Sequence, residues 1–163
     1  MPDPSAPQIT LHASCVALKD DGILILGAPG TGKSDLALRL IDEPGYGAGD
    51  ELIRGRLVAD DQTVIERRGD ALYGSSPKAI AGLLEIRGQG IVAFDTLAEV
   101  RLVLVVRLTP AIEIERLPED TQIYRVAGVA LPEIAIDPTK VTAAARIRAA
   151  LTAPRGALRQ IRA

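Results

Sequence analysis

The run Gly27-Ala28-Pro29-Gly30-Thr31-Gly32-Lys33-Ser34 constrains this chain more than any other stretch. It has the form G-x-x-x-x-G-K-S, follows the strand-like "ILIL" and leads into a helical pattern. Glycines in such a corner let backbone N–H groups turn inward and approach oxygens closely. In this pattern Lys33 reaches the β- and γ-phosphates of a nucleotide, and the Ser34 hydroxyl holds Mg²⁺. The helix behind adds the positive end of its dipole. The spacing predicts a nucleotide-binding P-loop in an α/β domain, with residues 27–34 as the binding loop. ATPases, GTPases and small-molecule kinases all share that loop, so it does not name the reaction. A guanine-reading Asn-Lys-x-Asp is absent from the chain.

With 163 residues the chain reads as one catalytic domain. Residues 1–8, with three prolines among the first seven, read as a flexible arm, and residues 153–163 as a C-terminal tail. Hydrophobic residues make up 47% but aromatics only 2%, so branched side chains and Ala must fill the core. Nineteen basic and 21 acidic residues leave a net charge of −2, which argues against a nucleic-acid partner. No window approaches the ~20 apolar residues of a membrane span, and the N-terminus lacks the blocks of a signal peptide. A cytoplasmic location without membrane contact is the expectation. The single cysteine, Cys15, makes no internal disulfide and reads as a buried small hydrophobe.

Residues 8–26 read as strand, strand, turn, strand, with Asp20-Asp21-Gly22 as the hairpin signal. Leu36, Ala37, Leu40 and Ile41 follow helical spacing. Residues 43–55 hold a proline and four glycines and read as a loop. "RLVADD", "TVIER", "ALYG", "LLEIRGQGIVAF" and "RLVLVVRL" are strand-like, the last apolar enough to be central. One extended stretch is expected over 126–137, and a helix opening at Asp137-Pro138. The whole is strand-rich and helix-poor, unlike a regular βαβ array.

Four polar features bear on the acceptor. Asp60 and Asp61 end an apolar strand, where neighbours face opposite ways and so take different tasks. One can support Mg²⁺ or the loop while the other faces the γ-phosphate as a base, although such a pair also suits a turn or helix cap. Glu85 and Arg87 share a face of an extended segment, with Gly88 and Gly90 beside them. Glu85 suits a second Mg²⁺ ligand, and a β-bulge with a surface ion pair is the other reading. His12, the only histidine, reads as a hydrogen-bonded packing residue or a site residue. Arg116, in a mostly acidic loop, reads equally as a solvated salt bridge.

In order, a histidine 21 residues before Lys33, "GxxGxGKS", "LVADD", "LEIRGQGI" and a later "ERL" resemble the bacterial HPr kinase/phosphorylase family. Motif support runs from about Thr10 to Arg116, and a looser match continues to about Leu151. The resemblance implies a P-loop α/β fold with a mixed, strand-rich sheet similar to that of phosphoenolpyruvate carboxykinase. It implies ATP- and Mg²⁺-dependent phosphorylation of a serine on HPr, the small phosphocarrier of the phosphotransferase system, and a homohexamer. Carried onto this chain, Lys33 falls on the phosphates, Ser34 and Glu85 on Mg²⁺, and Asp61 on the serine proton. His12 and Arg116 join the catalytic set.

The chain also departs from that pattern. The family's full-length form carries an N-terminal regulatory domain, whereas these 163 residues are expected to hold the catalytic one, and residues 42–61 replace a tighter return from helix to "LVADD". The segment "IPVRPGRN", tied to reverse phosphorolysis, stands as "LPEIAIDPTK" without the Arg-Asn pair. Kinase activity is thus the implied direction. A kinase of a small alcohol or nucleoside, with residues 43–55 as its candidate lid, is a second reading. A catalytically silent nucleotide-dependent sensor that binds HPr or a regulator is a third.

Overall fold

In the computed structural model, residues 7–153 are described. The arm at 1–8 and the tail at 153–163 fall outside them, apart from residues 7, 8 and 153. Strands β1 (Gln8–Leu11), β2 (Ala13–Leu18) and β3 (Asp21–Leu26) precede the glycine-rich loop and helix α1 (Lys33–Asp42). Then come β4 (Gly55–Ala59), β5 (Thr63–Arg68), β6 (Ala71–Ser75), β7 (Leu83–Ile86), β8 (Gly90–Ala93) and β9 (Glu99–Leu108). The chain continues through β10 (Gln122–Val126), β11 (Val129–Ile136) and α2 (Ala143–Thr152).

Nine strands form one mixed sheet in the order β1-β5-β6-β9-β3-β2-β4, with β11 also paired to β9 and β10 to β11. Strand β9 is central, as its apolar run predicts. It lies parallel to β3 and β11 and antiparallel to β6. Strands β7 and β8 form a separate ribbon. A strand buried on both faces needs apolar residues at successive positions rather than alternate ones. Strand β3 meets that need: Ile23 and Ile25 face one core layer, Leu24 and Leu26 the other. The first layer is closed by Leu36, Ala37 and Leu40 of α1 and Ala143, Ala144 and Ile147 of α2. Each fully buried Leu or Ile contributes roughly 1.5–3 kcal/mol, which is how an aliphatic core holds without aromatics.

Helix α1 carries Asp35 in its first turn and Arg39 in its last, each matched to the dipole. It stops at Glu43, which is extended (φ −95°, ψ 110°) because Pro44 follows. Residues 43–55 then pack over α2, pinned by the Gly45–Ile53 bridge and by Arg148. The buried Arg148 guanidinium donates to the carbonyls of Ile53 (3.2 Å), Leu40 (3.1 Å) and Glu43. This loop sits at the far end of α1 from the glycine loop, roughly 15 Å along a ten-residue helix. None of its residues lines the cavity described below.

Three local expectations shift. The β2–β3 turn is Lys19-Asp20, with Leu18 opposite Asp21 and Lys19 at φ 56°, so Asp21-Gly22 already belongs to the strand. The extended stretch over 126–137 is the second arm of a hairpin, its turn at Ala127-Gly128 with φ 48° and 76°. Positive φ at both positions matches the right-handed strand twist. Helix α2 begins at Ala143 rather than at Asp137-Pro138. The Asp137 carboxylate is spent on a turn instead, accepting from Thr139 N–H (2.9 Å), Thr139 Oγ1 (2.7 Å) and Ala111 N–H (2.9 Å).

Candidate active site

The glycine loop emerges from the carboxyl end of β3, where open α/β sheets place their ligands. Gly30 and Gly32 have φ of 78° and 102°, which L side chains rarely adopt. A Cβ on Gly27 would lie 2.5 Å from Thr31 Oγ1 and 3.2 Å from Leu108 Cβ, so only glycine fits between the loop and β9. Thr31 closes the turn by donating its hydroxyl to the Ala28 carbonyl at 2.6 Å. Helix α1 has no side-chain cap, which leaves the N–H groups of its first turn for a ligand. Lys33 is buried, and its Nζ donates to the carbonyls of Gly27 (2.8 Å) and Ala28 (3.1 Å), across the mouth of the loop.

The paired aspartates divide their tasks. Asp60 is buried, and its Oδ1 accepts from the hydroxyls of Ser34 (2.8 Å) and Ser14 (2.9 Å). Its Oδ2 faces the backbone N–H of Glu85 at 3.3 Å. One carboxylate thus fastens α1, β2 and β7 together. Asp61 sits at φ 64°, with the Gln62 N–H bonded to the Asp60 carbonyl at 2.7 Å. That is a positive-φ γ-turn, a conformation that costs of order 1–3 kcal/mol and recurs at functional sites. Its carboxylate lies exposed, 3.3 Å from His12 Nδ1. The pair falls just past β4, whose last residue is Ala59.

A cavity of about 270 Å³ opens between these groups, lined by His12, Lys33, Ser34, Asp61, Glu85 and Arg87 together with the glycine loop. Glu85 reaches it from β7, and Arg87 from the turn into β8, where Gly88 and Gly90 have φ of 84° and 103°. A wider hollow of about 410 Å³ lies on the other side of His12, walled by Leu26, Arg107, Leu108 and Tyr124. Arg116 is exposed in the loop after β9 and does not line either hollow. Sequence reasoning left Asp60 without a fixed role and named Arg87 beside Glu85 without giving it a place in the site. Asp60 carries a signal only as half of the "DD" pair.

Among the described residues, no cluster of three or more His, Cys, Asp and Glu side chains offers a ready metal cage. Mg²⁺ does not require one, because it commonly binds through one or two carboxylates and substrate phosphates. The donor set fits that habit. Ser34 gives its proton to Asp60, so its lone pairs are free for a cation, and the Glu85 carboxylate stands on the same cavity. Cys15, in β2, does not line the cavity, and burial pushes its thiol up to about 12.

The sheet and cavity together define an α/β domain with a strand-rich mixed sheet and a polar cleft at the carboxyl end of its parallel strands. Residues 4–155 match the family described as HPr Serine kinase C-terminal domain, and the chain belongs to that family. It is 36% identical over 142 residues to the HPr kinase/phosphorylase of Cupriavidus metallidurans, covering 81% of this chain and 41% of that protein. Over 94 residues it is 45% identical to the HPr kinase/phosphorylase of Caldanaerobacter subterraneus, 56% of this chain and 27% of the relative. The chain therefore spans less than half the length of these relatives. In fold it resembles the Hpr(Ser) kinase/phosphatase from Coxiella burnetii, with a TM-score of 0.68 and 24% identity, over 86% of this chain and 94% of that one.

Proposed function

We propose that this chain is a P-loop kinase domain that transfers the γ-phosphoryl group of ATP, with Mg²⁺, to a serine of an HPr-type phosphocarrier. The observation that carries the reading is the pairing of Ser34 with buried Asp60 on one side of the cavity and of Asp61 with His12 on the other. A phosphate site and a proton acceptor then face each other across a single cleft.

Residues 27–34 bind the phosphates through loop amides and the first turn of α1, and Lys33 turns from its two carbonyls to the phosphate oxygens. Ser34 and Glu85 would hold Mg²⁺, which would supply neutralisation of charge on the transferring group. Arg87 adds a fixed positive charge to the same wall. The serine hydroxyl attacks the γ-phosphorus, the bond to the ADP oxygen breaks, and the serine proton passes to the Asp61 carboxylate. His12 orients that carboxylate. Arg116, which the resemblance puts in the catalytic set, stands exposed outside the cavity and carries no step in this reading. A cytoplasmic homohexamer is the assembly this reading carries with it; none of the described helices is long and apolar enough to cross a membrane.

The test is transfer of labelled γ-phosphate from ATP to purified HPr from the same source, with Mg²⁺, by the wild type and by Asp61→Asn. Label on a serine, lost in the variant while ATP still binds, is the expected result. ATP binding without any transfer would favour the silent sensor.

A further inference from the structure

Ser14 is the second residue of β2, paired opposite Ile25 of β3, and is wholly buried. Its strand neighbours Ala13, Cys15 and Ala17 are small, so an Ala at this place would suit the sheet equally well. A hydroxyl taken out of water is tolerated only when its hydrogen-bonding capacity is used. Here both capacities are used. Ser14 donates to Asp60 Oδ1 at 2.9 Å, and its oxygen accepts the backbone N–H of Asp61 at 3.4 Å. The same Oδ1 receives Ser34. The chain of contacts therefore runs from Ser34 through Asp60 and Ser14 to the backbone of Asp61. The last link meets the strained φ of 64°, where a small backbone rotation would swing the carboxylate away from His12.

We propose that Ser14 is a positioning residue: its buried hydroxyl fixes the γ-turn at Asp61 relative to the Ser34–Asp60 pair, so that proton acceptor and phosphate site keep one spacing. This rests on the kinase reading above for its purpose, but the positioning itself is measurable without turnover. Truncating the hydroxyl leaves Asp60 with Ser34 and the Glu85 N–H, so the phosphate side holds while Asp61 loses the bond to its amide.

His12 is the only histidine, so its imidazole gives one unambiguous set of NMR resonances. Ser14→Ala, Ser14→Cys (nearly the same volume, with a weak donor) and Asp61→Asn would be compared with wild type at one fixed pH, and kinase turnover measured beside them. In both Ser14 variants the His12 resonances are expected to move toward their positions in Asp61→Asn. Turnover is expected to fall about tenfold with KM for ATP within about twofold, as for a misplaced proton acceptor. Wild-type resonances in the variants would overturn the proposal, whatever happens to the melting temperature; should Ser14→Ala fail to fold, Ser14→Cys decides alone. Displaced resonances in a series whose wild type phosphorylates nothing would keep the positioning role and sink the kinase reading instead.

Discussion

The Ser34 hydroxyl donates to Asp60 Oδ1 at 2.8 Å, tying the first turn of α1 to the residue that follows β4, 26 positions later. Helix and strand belong to one hydrophobic layer through Leu36 and Leu57, but apolar packing alone tolerates small shifts. A charge-assisted hydrogen bond in a buried setting does not, since it weakens steeply with distance and angle.

Asp60→Ala therefore acts on both stability and activity. It removes the acceptor of Ser34, Ser14 and the Glu85 N–H at once. Of these donors Ser14 is the wholly buried one, and leaving it without a partner costs about 1–3 kcal/mol, with less lost at Ser34 and the Glu85 N–H, where water enters. A fall in melting temperature of several degrees is expected, at about 2–4 °C per kcal/mol for a chain of this size. Turnover should drop on the order of a hundredfold as Ser34 loses its orientation. Thermal unfolding and steady-state kinetics check the two halves separately, and an unchanged melting temperature would refute the tie.

Arg148→Ala should release residues 43–55. The guanidinium is buried, donates to carbonyl oxygens at the end of α1 and in the loop, and its pKa is lowered by desolvation. Gly47 holds the other side of the contact: a Cβ there would lie 2.5 Å from the Arg148 carbonyl carbon. Faster amide exchange across residues 45–53, with the glycine loop unaffected, is the expected pattern. Protection lost at the glycine loop as well would mean that the loop buttresses the site and is not merely an excursion.

Asp137 offers a pH handle. Thr139, through its hydroxyl and its N–H, holds this carboxyl below its usual value, with Ala111 N–H adding to the effect. A depressed folded pKa means that the unfolded chain binds protons first as pH falls. The stabilisation is thus present above the unfolded value near 3.8 and is lost as pH drops through the folded one. Urea titrations between pH 2 and pH 6 should show Asp137→Asn less stable at the upper end, with the two proteins converging toward the lower. Parallel curves would remove Asp137 from the account.

Much of this was legible before any coordinates. The G-x-x-x-x-G-K-S run placed strand, turn and helix, because its glycines admit few other backbones, and Leu36, Ala37 and Leu40 oriented the helix. The apolar run of β9 marked the sheet centre for the same reason: a strand buried on both faces cannot alternate. What escaped was non-local. Asp137-Pro138 has the letters of a helix start, yet its carboxylate is claimed by Thr139 in a local turn and also by Ala111, 26 residues earlier, a partner that local patterns do not register. The short strand β10 carries Gln122 and Arg125 and pairs only with β11, so its identity comes from the Ala127-Gly128 turn rather than from its own composition. At the site, His12 and Asp61 meet across 49 positions because β1, β2 and β4 converge, and Asp60 gained its role only when Ser14 and Ser34 were seen to share it. Arg116, which the resemblance singled out, stays outside the cavity.

Cys15 closes the set with a prediction opposite in sign to that of Asp137. Its thiol is wholly buried beside Gly74, where a Cβ would lie 3.2 Å from Sγ, and burial raises its pKa from 9.0 to about 12. A neutral, inaccessible thiol is a poor nucleophile, so alkylation at pH 8 should be slow in the native protein and fast once urea unfolds it. Above pH 9 the unfolded chain gives up the thiol proton while the folded one keeps it. The folded state then binds more protons, and stability must fall as pH rises from about 9 toward 12. Cys15→Ala loses some core packing at pH 7 but should flatten that alkaline slope, measured as unfolding free energy against pH in wild type and variant. A slope that survives the substitution would assign the alkaline loss to other groups, and brisk native alkylation would show that the sheet opens at β2 far more readily than its buried pairing with β3 implies.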